Sequence, residues 1–344
     1  MLASMSGARR PGWILGGGIL YLALAPVLVA LSGLWDDGEA WRSRLVDDGR
    51  AVTLADVSGN DCLECHTDIG AQWRDSAHAI AWQDEHFQRD LAALPEEERA
   101  ACIGCHMPQP LVPLGLPQDP PARTEDPHLG IDCRACHLDS DGETILGTLG
   151  LETDAHPVRI SEHLEPSSGL CVSCHATTVG PVIGIAADYV ATEQVEVESC
   201  VGCHMPMARG PLAIDPSGEV EYEVRRYRSH RLESARDPRF LKKTFGLKAE
   251  EQGDGARVIV SNRAGHGVPG LTTRRIRFVA QALDDEGQVL AEAERVLDHE
   301  APLPVDGAVE FSVEAFGARL VVEGFHFADG MDAPVSFVKR TFRP

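Results

Sequence analysis

Five times in 344 residues, two cysteines stand two residues apart with a histidine directly after the second: Cys62, Cys65, His66; Cys102, Cys105, His106; Cys133, Cys136, His137; Cys171, Cys174, His175; and Cys200, Cys203, His204. These motifs use all ten cysteines, so none remains for a disulfide framework. The spacing has a chemical reason. Two thiols separated by two residues reach the two vinyl groups of one haem, and the adjacent histidine then faces the iron. A zinc site built from CxxC pairs has no need of a histidine after every second cysteine, and a thioredoxin-like redox motif needs a single CxxC in a βαβ setting. The motifs therefore predict five covalently attached c-type haems, each iron bound proximally by His66, His106, His137, His175 or His204. They recur at uneven intervals, an array without a strict repeat.

That density limits the fold. The stretch from Cys62 to residue 245 leaves only a few dozen residues for each haem, too few to wrap every macrocycle in its own apolar core. Neighbouring haems must share walls, and the haems become the core. Shared walls bring edges close together, so electrons can hop along the row. The net charge of -22 excludes a general nucleic-acid binder; an acidic surface instead steers basic or weakly charged redox partners. From Arg225 to Lys243 the balance reverses, with eight basic residues against Glu233 and Asp237. Haem propionates are the favoured partners for these arginines, an acidic protein surface being the alternative.

The sixth iron ligand separates an electron carrier from a catalyst. Nine histidines lie outside the motifs. Three have telling neighbours: His78 in QWRDSAHA, His230 in RYRSHRLESARDPRF and His266 in NRAGHGVPG. His128, in HLGIDCRACH, and His156 or His163, in HPVRISEHLEPSSGLCVSCH, supply the remaining candidates. His86, His299 and His326 read as solvent-facing or structural. Met107 and Met205 follow proximal histidines directly and cannot swing to the opposite haem face. With histidine on both faces of every iron, all five ferric haems are expected to be low-spin.

Over residues 60 to 245 the chain resembles the multihaem cytochromes related to the tetrahaem carrier that takes electrons from hydroxylamine oxidoreductase. The most specific piece is CLECHTDIGAQWRDSAHA. The resemblance implies that His78, in the W-x-x-S-x-H segment, binds from the distal side a haem attached elsewhere in the chain. It implies the same of His266, in the A-G-H-x-x-P element of Ala264, Gly265, His266 and Pro269, and it prefers His156 to His163. This chain has one motif more than the tetrahaem carrier, and its C-terminal part falls outside the resemblance.

The expected fold is a mainly irregular and α-helical multihaem cytochrome c domain at residues 61–253, followed by a small antiparallel β-sandwich at 254–344. Apolar runs at Val258 to Val260, Ile276 to Leu283, Val309 to Val313, Leu320 to Val322 and Val335 to Val338 carry the second reading, with Asp284-Asp285-Glu286-Gly287 as a hairpin turn. Leu94-Pro95 followed by three glutamates predicts a helix start, and Pro108 to Pro121 a loop. Residues 1–35 hold Arg9, Arg10 and an uncharged apolar run from Pro11 to Leu34, long enough to span a bilayer. They are expected to be a transmembrane helix anchoring the protein on the periplasmic side of the inner membrane, with cleavage near Ala30-Leu31-Ser32 as the alternative. Residues 36–60 read as an acidic linker.

The function expected is electron transfer between redox partner proteins rather than catalysis. One competing reading is an enzyme on small nitrogen or sulfur oxyanions at a five-coordinate haem. No CxxCK motif, the mark of a lysine-ligated catalytic haem, occurs. Another reading is a subunit of an extracellular electron-transfer complex or filament, assembled through the β-rich tail.

Overall fold

A computed structural model describes residue 59 and residues 61–343, apart from 151–152, 166–168, 191–198, 218–221, 329–330 and 332. The expected anchor and nearly all of the linker lie outside the described residues. Among those described, no helix is long and apolar enough to cross a membrane.

Each CxxCH motif folds as a short helix or the end of one: α1 (Cys62–Cys65), α4 (Glu96–His106), α5 (Cys133–His137), α6 (Val172–His175) and α8 (Cys200–His204). One helical turn is what the chemistry needs, because residues three apart share a face and both cysteines then point the same way. The turn closes on the motif histidine: the N–H of His66 donates to the Cys62 carbonyl at 2.9 Å and that of His175 to Cys171 at 3.0 Å. Caps hold these one-turn helices. The Asp132 carboxylate accepts from the Arg134 N–H ahead of α5, and the Ser199 hydroxyl accepts from Gly202 ahead of α8. The longer α4 begins after Pro95 with Glu96, Glu97 and Glu98 in its first turn, where carboxylates suit the helix dipole. Between the motifs lie α2 (Thr67–Arg74), α3 (Glu85–Ala93), α7 (Ile185–Val190), the two-stranded pairs β1 (Ile145–Gly147) with β2 (Val158–Ile160) and β3 (Met207–Pro211) with β4 (Val224–Arg228), and loops.

Apolar packing in this region is thin. Its one hydrophobic cluster among the described residues is Trp73, Ala79 and Leu129 with Leu63 against them, and the Trp73 indole donates to the Ile131 carbonyl at 2.9 Å. Beside it sits a buried ionic knot. Asp132 accepts from Arg134 at 2.6 Å and lies 3.5 Å from Arg123, while Arg134 also reaches Asp126 at 3.0 Å. A protein of this length without a comparable apolar core here needs something else to fill it.

The C-terminal part is ordinary by contrast. Following α9 (Pro238–Thr244), strands β5 (Phe245–Gln252), β6 (Gly255–Asn262) and β9 (Ala308–Val313) form one antiparallel sheet in the order β5-β6-β9. A second sheet, β11-β10-β7-β8, is built from β7 (Arg274–Leu283), β8 (Val289–Leu297), β10 (Arg319–Ala328) and β11 (Val335–Phe342). Strict alternation drives the packing. On β7, Ile276, Phe278, Ala280 and Ala282 are buried; on β6, Val258 and Val260; on β10, Leu320 and Val322. These side chains from both sheets make a single core. Gly324 is needed there, since a Cβ would come within 3 Å of Phe278, Phe337 and Val338. The hairpin joining β7 to β8 closes between Asp284 and Gln288, with Gly287 at φ 86°. The sheet starts at Phe245, ahead of residue 254, because β5 is an edge strand whose outer half (Lys248, Glu250, Glu251) hides its pattern.

Candidate haem centres

Four proximal histidines each face a second histidine. Ring centroids are 6.3 Å apart for His66 and His156, 6.3 Å for His78 and His175, 6.1 Å for His137 and His230, and 6.4 Å for His204 and His266. The distance is diagnostic. A metal–imidazole bond of roughly 2 Å plus about 1.2 Å from nitrogen to ring centre, counted on both sides of one metal, gives a separation close to that observed. Two imidazoles in direct hydrogen-bonding or face-to-face contact would lie closer together.

The rings are oriented as iron ligands must be. Backbone carbonyls accept from Nδ1 of His66 (Leu212, 2.6 Å), His106 (Ala81, 2.6 Å), His137 (Leu146, 2.7 Å) and His204 (Glu233, 2.5 Å). On the distal side, Nδ1 of His230 donates to the Arg228 carbonyl at 2.9 Å and Nδ1 of His266 to Gly267 at 2.8 Å. A proton fixed on Nδ1 leaves the Nε2 lone pair free for a metal. Burial favours the neutral form at several of the paired and proximal histidines. It pushes His78 down to about 3 and His230 to about 4, and lowers His106, His137, His175 and His204.

His106 is different. Among the described residues no histidine ring pairs with it as one does with the other four proximal histidines. Its ring instead lies flat against Phe87, at 3.6 Å and 9° from parallel. A ligand across the iron would stand as far off as the partners in the four pairs, and in the plane of the ring. Phe87 therefore braces the flank of His106 and does not stand where a ligand across the iron would. His128, the remaining distal candidate, is exposed, with its carbonyl accepting from Gln83, and it faces no proximal histidine. His163 is half-buried beside Ser161, its N–H bonded to that hydroxyl, and it too faces none; His156 stands opposite His66. His326 is not at the surface but 4% exposed on β10.

The motifs also approach one another. Thiols of Cys62 and Cys133, of Cys105 and Cys174, and of Cys171 and Cys200 lie in hydrogen-bonding contact. Cys136 lies near enough to Cys171 and Cys174 to influence both electrostatically. Every motif thus touches another at the edge where a porphyrin's vinyl groups would be anchored. Among the described residues no three His, Cys, Asp or Glu side chains converge as ligands of a bare metal ion, which the zinc alternative requires. Thin apolar packing, paired imidazoles and adjoining thiol edges all fit haem.

Sequence reasoning missed the anchoring carbonyls of Leu212, Ala81, Leu146 and Glu233, which carry no side-chain signal. It missed Phe87 and also Phe240, whose ring lies 4.9 Å from His204; lone phenylalanines in helices read as core.

Residues 61–138 match the family model described as cytochrome c554 and c-prime. None of the curated proteins matches the chain. Among solved structures, the chain is similar to one described as a penta-heme cytochrome c552 from Thermochromatium tepidum, with a TM-score of 0.59 at 16% identity over 84% of this chain and 99% of that one. At that identity the likeness is one of fold. Taken with the five CxxCH motifs, the family match and the shared fold support a multihaem c-type cytochrome that carries its haem covalently.

Proposed function

We propose that this protein relays electrons outside the cytoplasm along five covalently bound c-type haems, between a donor and an acceptor protein. The observation that carries this reading is the set of four histidine pairs at iron-spanning distance. An iron held by histidine on both faces has no position for substrate and can only exchange electrons. The thiol contacts support a route. The haem of His66 adjoins that of His137 through Cys62 and Cys133; Cys136 leads on to the haem of His175; and Cys171 with Cys200 leads from there to the haem of His204. The haem of His106 joins at the third of these, through Cys105 and Cys174, as a side branch. Expression in a host that matures c-type cytochromes tests the reading. Five haem equivalents by pyridine haemochrome, with full reduction by a low-potential donor and reoxidation by an acceptor protein, are expected; far fewer equivalents would end it.

A second reading rests on His106. With no histidine ring paired to His106 among the described residues, the haem there is expected on this reading to be five-coordinate and to take small ligands, which gives four low-spin haems and one high-spin in place of five low-spin ones. Such a site suits reduction of a small nitrogen or sulfur oxyanion, fed by the other four haems. Turnover of nitrite, hydroxylamine or sulfite by the purified protein decides between an open but idle haem and an enzyme.

A further inference from the structure

The core of the β-sandwich turns polar at one end. Strands β7 and β10 send alternate residues inward, and the inward series continues past Ile276 to Arg274 on β7 and ends at His326 on β10. In the register, Ile276 pairs with His326 and Arg274 with Ala328. Arg274 and His326 are therefore diagonal neighbours on one face, a relation that places two residues roughly 7–8 Å apart in an antiparallel pair. His326 is 4% exposed, and its Nε2 is buried without a hydrogen-bond partner. Burial pushes His326 down to about 4, and the Arg274 charge adds to that. Arg274 makes no ion pair among the described residues; burial, then repulsion from Arg236, lowers its affinity for its own proton. Arg236 has no carboxylate partner among them either. A largely buried guanidinium beside an unsatisfied imidazole, with the exposed Arg236 nearby and no anion between them, is an uphill arrangement, and it suits a carboxylate.

The chain connections say which one. The Glu233 carbonyl holds Nδ1 of His204, and Arg236 follows three residues later. His266 stands opposite His204, and Arg274 follows eight residues later. The two arginines thus come from the segment whose carbonyl anchors His204 and from the segment that carries His266. Gly270 and Thr272, just ahead of β7, are bonded to Ile183 and Pro181 of the haem region, which ties this end of the sandwich to it.

We propose that Arg274, supported by Arg236 and by Nε2–H of His326, binds a propionate of the haem held between His204 and His266. This rests on the haem reading above. A guanidinium presents two parallel donors to a carboxylate, and the neutral imidazole donates a third. The β-sandwich then supplies one haem with both its distal ligand and the counter-charge of its propionate. A cation at that edge stabilises the reduced iron, so it raises that haem's potential relative to its neighbours.

The test compares full-length wild type, R274Q, R236Q and H326Q by haem count and by potentiometric titration of all haems, with H266A identifying the haem concerned by loss of its low-spin signature. R274Q should keep its full haem complement while that single haem's midpoint falls; R236Q should lower the same midpoint by less. Unmoved potentials in R274Q with all haems present would overturn the assignment. Should R274Q not fold, R236Q, changed at an exposed position, decides by the same readout. A wild-type midpoint that responds to added phosphate would reassign the pocket to a soluble anion and overturn it too. Fewer than four haems in the wild type would remove the haem reading itself, a result separate from unmoved potentials.

Discussion

The clearest chemistry at the scale of single residues is the contrast between His106 and the other four proximal histidines. His175 meets His78 at 6.3 Å, whereas His106 meets only the flank of Phe87. If the haem of His106 is five-coordinate as in the second reading, His78→Ala should free a second iron: electron paramagnetic resonance is expected to show the high-spin signal roughly doubled and one low-spin species lost. Phe87→Ala should act differently. It removes a brace without touching a ligand, so the ring of His106 gains freedom, and the high-spin signal should broaden while its integrated intensity holds. The candidate attachment residues were legible in the sequence because cysteine spacing is covalent geometry. Distal histidines were less so. His78 and His266 sit in recognisable segments, but His156 and His163 differ only in where an irregular loop folds, and His128 is set apart from any proximal partner by a left-handed turn at Asp126 that no pattern announces.

Among the elements, the one-turn motif helices depend on their caps, since a helix so short gains little from propagation. Asp132 both caps α5 and neutralises Arg134 and Arg123 in a buried setting. Asp132→Asn takes the buried Arg123 away from its carboxylate and leaves Arg134 with Asp126, at a cost of about 3 kcal/mol; denaturant unfolding should show a lower midpoint, and haem content should fall at the Cys133–Cys136 attachment first. The β-strands were read from alternation wherever one face is buried, as on β6, β7 and β10. Strand β5 escaped that reading because it lies at a sheet edge and interleaves charges; β8 was announced only by the hairpin turn before it, since Val289 and Leu290 are more than half exposed. The same edge position explains why the sheet begins at Phe245.

For the whole molecule, two kinds of interior share one chain: hydrocarbon packing from Leu241 onward, and before it thin apolar packing that the proposed haems would complete. Removing residues 245–344 takes away His266 along with the sandwich. The truncated protein should keep its other histidine pairs and show one further high-spin haem, whereas the single change His266→Ala should give the same spectrum with the sandwich intact. Agreement between the two spectra would assign the tail a ligating role, and a normal low-spin count after truncation would remove it.

The four facing histidines lie far along the chain from their counterparts, His156 from His66 and His266 from His204 among them. Each iron would therefore knot together stretches of polypeptide that are remote in order, with thioethers on one strand of the knot and a nitrogen bond on the other. A single protease cut in an intervening loop would leave such a particle whole in native electrophoresis, and its pieces would part only in denaturant. The apo-chain, lacking every knot, should be digested throughout the stretch from Cys62 to the start of the sandwich.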